Sequence, residues 1–277
     1  MPEITAVAVK SLRERTGLPM MECKKALTEN NGEEEAAVTW LRERGAKTME
    51  KRADRETAFG RMGIFADLGS NVGAMVELKC ESAPVTQNEE FVQLANDLAQ
   101  QFATGSGATS ADELLDQSCP SQDGKTLREV KDDLFNRIRE VFNIGRMVRL
   151  DGSCGGYSHN AGTVSGVLLQ VEGGTDTAAK DVCMHVAAMN PQALHKEELD
   201  SDVVDQERHI LTEQARNEGK PENIIEKMVD GRMRSYFAQH VLSEQPFVKD
   251  DKLTVGKFAS SNDMKLVRFI HWTLGEE

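Results

Sequence analysis

The first 45 residues hold three apolar-periodic stretches, each closed by glycine or asparagine, and no strand-like run begins before Phe59. So short a start buries only a small core, so the chain must open with a small helical unit and build its main core later. In ITAVAVKSLRERTG, Thr5 is placed to cap a helix, Ile4 and Val9 to staple its entry, and Gly17 to end it. In LPMMECKKALTENNG, Pro19 suits the first turn, and Asn30, Asn31 and Gly32 break the pattern. In EEEAAVTWLRERG, three glutamates sit at the positive end of the helix dipole and Gly45 is the expected stop. Residues 46–58 are charged and unpatterned, and read as a linker.

From Phe59 the texture changes. RMGIFADL and VGAMVELKC flank GSN and predict a strand hairpin. A helix follows, with Phe91, Leu94, Ala95, Leu98 and Phe102 at helical spacing, and Thr86 and Glu89 at capping-box spacing. That leaves Ser82, Ala83, Pro84 and Val85 as a short connecting loop, with Pro84 expected to hold Ala83 extended. A helix over 125–143, strands at MVRLDG and GTVSGVLLQVEG, and a helix over 175–189 repeat the strand-then-helix order. Residues 195–241 read as an antiparallel helical hairpin broken at EGKP, and KLVRFIHWTL as a last strand. The predicted class is α+β: a helical domain at 1–45, a linker at 46–58, and core subdomains at 59–143 and 144–277, the second carrying the hairpin.

With 33 basic and 46 acidic residues the net charge is −13, which repels phosphate backbones and anionic membrane surfaces. No nucleic acid or membrane partner is expected. Five cysteines, all far apart in sequence, fit neither a disulfide framework nor a zinc site, and reduced thiols in the cytoplasm are expected. Cys80 or Cys183 with His159 or His185 is the conceivable nucleophile–base pair, yet no local signature surrounds them. GSCGGYSHNAG lacks the lysine and spacing of a phosphate loop and reads as a flexible turn. The acids at 197–207 lack a calcium-loop pattern. No enzyme, metal or cofactor is expected. Met20 and Met21 follow a proline-started helix, and exposed methionine suits an adaptable protein-binding surface.

LRERTGLPMMECKKALTENNGEEEAAVTWLRERG resembles the N-terminal signature of bacterial translation elongation factor Ts. MVELKCE resembles that family's second signature, and VCMHVAAMNP, KPENIIEKMVDGRM and SEQPFV follow in family order. The resemblance implies a ubiquitin-associated-like three-helix domain, two α+β core subdomains and a projecting hairpin. It also implies guanine nucleotide exchange on elongation factor Tu during translation, with no catalysis of bond making. By resemblance Arg13, Met20 and Met21 face the partner, and His185 approaches its phosphate-binding side. Ser82, Ala83, Pro84 and Val85 stand where the family carries Thr-Asp-Phe-Val, a loop that displaces the partner's magnesium. Acid and aromatic are both replaced. The alternative is a divergent paralogue that binds or chaperones elongation factor Tu without efficient exchange.

Overall fold

A computed structural model describes residues 4–219 and 221–276; residues 1–3 of the helical domain, Lys220 of the expected EGKP break, and Glu277 lie outside it. The protein is mixed helix and sheet, and divides into two compact units. Among the described residues, one comprises 4–63 and 76–148 and the other 64–75 and 149–276. β1 (Phe59–Ala66), β2 (Val72–Cys80) and β3 (Asn143–Asp151) form a sheet in that order.

The first unit opens with α1 (Ala6–Thr16), α2 (Met20–Glu29) and α3 (Glu34–Glu50). Thr5 caps α1 by accepting from the Ala8 N–H, and Gly17 closes it in the left-handed conformation at φ 68°. Val9, Leu12, Leu18, Cys23, Leu27 and Leu41 form the bundle core, with Ile4 packed against it. Gly45 does not stop α3, which runs on to Glu50 through the first five residues of the expected linker. The reason is packing rather than propensity. Gly45 is buried, and a Cβ there would stand 2.0 Å from Asn136 Oδ1 on α6 (Leu127–Ile138). The missing side chain lets α3 and α6 close together, which outweighs glycine's poor helix propensity.

Arg139, left-handed at φ 68°, ends α6 earlier than the periodicity suggests; its side chain pairs with Glu22 of α2, and its carbonyl accepts from Arg52. The three-helix bundle is therefore joined to the following elements by packing and polar ties, not by a bare tether. α4 (Glu89–Thr104) buries Phe91, Leu94, Ala95, Leu98 and Phe102 as its spacing predicts. Its cap is Asn88, whose side chain accepts from the Glu90 and Phe91 N–H groups, so the expected Thr86–Glu89 box does not form. α5 (Ala111–Leu115) is a single short turn before α6.

In the second unit β4 (Cys154–His159), β5 (Ser165–Gly173) and β8 (Met264–Thr273) form an antiparallel sheet in the order β4-β5-β8. β4 corrects the reading of GSCGGYSHNAG as a flexible turn. Its glycines serve close approach: a Cβ on Gly155 would meet the Ala179 Cβ at 2.6 Å, so α7 (Asp176–Met189) lies tight on the strand. Val167, Leu169, Val171, Ala179, Val182 and Val186 fill the space between sheet and helix. α8 (Ser201–Asn217) and α9 (Glu222–His240) make the hairpin, with a core of its own from Ala215, Ile225, Val229 and Met233; Tyr236 and Phe237 pack there. Its base is narrower than 195–241, because Val241 is fully buried and bridges Ala193 in parallel. β6 (Pro246–Phe247), β7 (Asp250–Thr254) and α10 (Val255–Ser261) lead into β8.

Gly45→Ala should destabilise the first unit by about 1–3 kcal/mol, the usual cost of overpacking a closed seam. Urea unfolding measures it. Adding Asn136→Ala should restore part of that loss, and a double variant no more stable than Gly45→Ala alone would rule out the seam contact as the cause.

Candidate partner-binding surface

Between β2 and α4 the chain makes a single tight turn, Ala83–Gln87, entered through Ser82 in extended backbone. Ala83 belongs to the turn rather than being held extended. The Thr86 hydroxyl donates to the Ala83 carbonyl at 2.7 Å, and the Asn88 N–H to the Val85 carbonyl at 3.0 Å. Val85 is buried and anchors the turn, whereas Ala83 and Pro84 face solvent.

What fixes the turn is a reciprocal exchange with the segment after α6. Glu81 Oε1 accepts from the Val141 N–H at 2.8 Å, while Glu140 accepts from the Ser82 N–H at 3.0 Å and its hydroxyl at 2.6 Å. Arg55 adds an ion pair to Glu81 at 3.0 Å, and Arg61 donates to the Thr86 carbonyl at 3.0 Å. Burial alone would raise the Glu81 pKa, but the Val141 and Arg55 bonds together hold it below its ordinary value. Burial lowers the Arg61 pKa. The turn presents two exposed side chains on a backbone tied at both ends.

Arg13 on α1 is exposed, as are Met20 (47%) and Met21 (75%) at the start of α2. An exposed methionine pair costs solvation that the bundle core does not recover, which fits a contact surface. Val7 is still more exposed, at 78%, and is not among the residues that the resemblance places at the partner. The signal was available: Val9 and Leu12 define the buried stripe of α1, and Val7 lies off it.

His185 is corrected. It is fully buried on α7 and has no solvent-facing edge. Its Nδ1 accepts from the Val248 N–H at 3.2 Å, so its Nε2 carries the proton and donates to Gln245 Oε1 at 2.9 Å. The Gln245 amide in turn donates to the Gln239 carbonyl at 2.9 Å. His185 is a core hydrogen-bond hub that ties α7 to the chain following α9.

The nucleophile reading also loses its basis. Burial, with Glu140 nearby, pushes the Cys80 thiol up to about 12, and burial raises Cys183 as well, so neither forms a thiolate near neutrality. Among the described residues no cluster of metal-ligating side chains occurs, and no helix is long and apolar enough to cross a membrane.

Residues 81–276 match the family model described as elongation factor TS. The chain is 40% identical over 277 residues to elongation factor Ts of Thioalkalivibrio sulfidiphilus, covering 99% of this chain and 92% of that protein. It is similarly 40% identical to the factor of Hyphomonas neptunium over 289 residues (100% and 93% covered), and 39% identical to that of Clostridium botulinum over 287 (99% and 93%). The chain belongs to the elongation factor Ts family. It is therefore a protein of translation elongation, and the matched segment contains the Ser82–Val85 turn and the α8–α9 hairpin.

The buried position of His185 carries a pH signature. Burial holds its pKa below the ordinary 6.5, only partly opposed by the Gln245 bond. Below that value the unfolded chain binds the proton more readily than the folded one, so stability is full above it and declines as pH falls toward the folded pKa. His185→Asn should flatten part of the slope of urea midpoint against pH between about 5 and 7. His271, also lowered by burial, contributes a slope of the same sign that persists in the variant. An unaltered slope would mean that His185 is solvated in the folded protein.

Proposed function

We propose that this protein is a guanine nucleotide exchange factor: it binds GDP-loaded elongation factor Tu, promotes GDP release and holds the nucleotide-free form. It makes and breaks no covalent bond. The observation that carries the reading is the stiff turn within the family-matched segment, whose Ala83 and Pro84 are exposed while its backbone is tied through Glu81 and Glu140. Exchange requires tighter binding to the nucleotide-free GTPase than to the loaded one. A turn already ordered loses little entropy on insertion, so contact energy goes into opening the partner's site. With Ala83 and Pro84 in place of an acid and an aromatic, this turn acts by shape rather than by charge. The N-terminal bundle, docking through Arg13, Met20, Met21 and Val7, supplies affinity.

The same replacement supports a second reading, in which the protein binds or chaperones elongation factor Tu without efficient exchange. Release of labelled GDP from elongation factor Tu of the same source separates the two. Acceleration over the intrinsic rate supports exchange; tight binding to the nucleotide-free form with release at the intrinsic rate supports the chaperone.

Within the exchange reading, Pro84→Gly should slow GDP release while reducing affinity for nucleotide-free elongation factor Tu only modestly, because glycine returns freedom that proline removes. Unchanged release would leave the turn a connector. Met20→Ala with Met21→Ala should weaken binding by about 2 kcal/mol, as truncating interface anchors does. Thermal unfolding should stay in place, since both side chains are exposed. Unchanged affinity in a calorimetric titration would remove the methionines from the interface.

A further inference from the structure

The three residues that follow α6 hold both candidate contact surfaces. The Arg139 side chain pairs with Glu22, which follows Met20 and Met21 in the first turn of α2. Its carbonyl accepts from Arg52, just past the end of α3, at 2.5 Å. Glu140 takes the N–H and hydroxyl of Ser82, and the Val141 N–H goes to Glu81. Arg55 closes the other side: its N–H donates to the Arg52 carbonyl and its guanidinium pairs with Glu81, both at 3.0 Å. Val141 and Phe142 are buried, and the Phe142 ring lies 5.3 Å from that of Phe91 on α4. The methionine pair and the exposed turn are thus bonded to opposite ends of one anchored tripeptide.

Arg139 is the one of the three that local structure does not explain. It closes α6 in the left-handed conformation at φ 68°, where glycine fits freely and a side chain is strained. Its N–H donates to the Phe135 carbonyl at 2.6 Å and its carbonyl meets Arg52, and neither bond uses the side chain. What arginine adds at this strained position is a guanidinium that reaches Glu22, and strain of this kind points to a role. Both side chains are 29% exposed, so water screens the pair less than one on the open surface.

We propose that Arg139 is a positioning residue for nucleotide exchange. Through Glu22 it fixes α2 against the segment that holds the turn, so that docking of Met20 and Met21 delivers Ala83 and Pro84 to one place on the GTPase. Once the bundle is docked, insertion of the turn is intramolecular. The turn's effective concentration at the partner's site rises as the spread of bundle-to-turn distances narrows. Affinity comes from the methionines, and Arg139 converts it into opening of the site. The inference rests on the exchange reading proposed above.

Arg139→Gly keeps the left-handed backbone and both backbone bonds and removes only the guanidinium, so the variant retains the fold. At saturating concentrations it should release GDP from elongation factor Tu about threefold more slowly than the unmutated protein, the weight of a partly screened ion pair. The concentration for half-maximal release should stay in place, whereas Met20→Ala with Met21→Ala should move that concentration and keep the maximum. Arg139→Lys, still a cation, should recover most of the rate, and the neutral Arg139→Gln should not. Spin labels at Lys25→Cys and Glu89→Cys, both exposed while the five native cysteines are buried, report on the free protein directly. Their distance distribution should broaden in Arg139→Gly. If the unmutated protein leaves GDP release at its intrinsic rate, the exchange reading has failed and the proposal falls with it. Acceleration by the unmutated protein, with an undiminished maximum or unbroadened distances in Arg139→Gly, overturns the proposal alone.

Discussion

The exposed turn depends on two carboxylates that answer each other across 58 residues of chain: Glu140 receives both donors of Ser82, and Glu81 receives the backbone of Val141. Each satisfies a backbone N–H left open where a regular element ends, so removing either leaves a donor without its partner. Because the bonds are charge-assisted and partly shielded from solvent, they hold the turn more firmly than a neutral pair. Arg55 and Arg61 extend the same network to the chain entering β1 and to the end of the turn. The sequence SAPV is held still from outside; its own proline is only one of the restraints.

Much of the fold was legible because it follows periodicity. The stripe Phe91, Leu94, Ala95, Leu98, Phe102 predicted α4, and Thr5 with Gly17 predicted both ends of α1, since caps and apolar spacing are local properties. The failures lie where one residue's neighbour is remote. Gly45 resembles a helix stop until α6 arrives against it, and the glycines of GSCGGYSH resemble a loose turn until Ala179 fills the space over Gly155. In both, glycine records a close approach, and the sequence does not say which element makes it.

The candidate surface divides in the same manner. The exposure of Met20 and Met21 was legible in part, because at least one of two adjacent methionines at a proline-started helix end must project from it. Family resemblance assigned His185 to a partner contact, yet a histidine within the stripe Ala178, Val182, Val186 sits on the core-facing side of α7. Its two nitrogens needed a donor and an acceptor, and Val248 and Gln245 supply both from a segment 60 to 63 positions further along the chain. Both lie in SEQPFV, a stretch that follows the family order but does not say which element it packs against, so only the fold reveals that the ring is already committed.

This leaves a constraint on how the proposed exchange can work. With His185 buried and neither acid nor aromatic in the turn, no ionisable side chain among the expected contacts at the turn is available to replace a ligand of the partner's metal. A factor lacking that chemistry can favour the empty GTPase only through shape. Shape discriminates only if the inserted element is stiff, because a compliant turn would fold away from the occupied site at little cost and bind both states alike. The reciprocal carboxylates supply that stiffness from the scaffold side. On the exchange proposed above, rigidity would therefore replace charge as the source of selectivity, and the exposed bundle, remote in sequence from the turn, would be free to supply affinity common to both states of the partner.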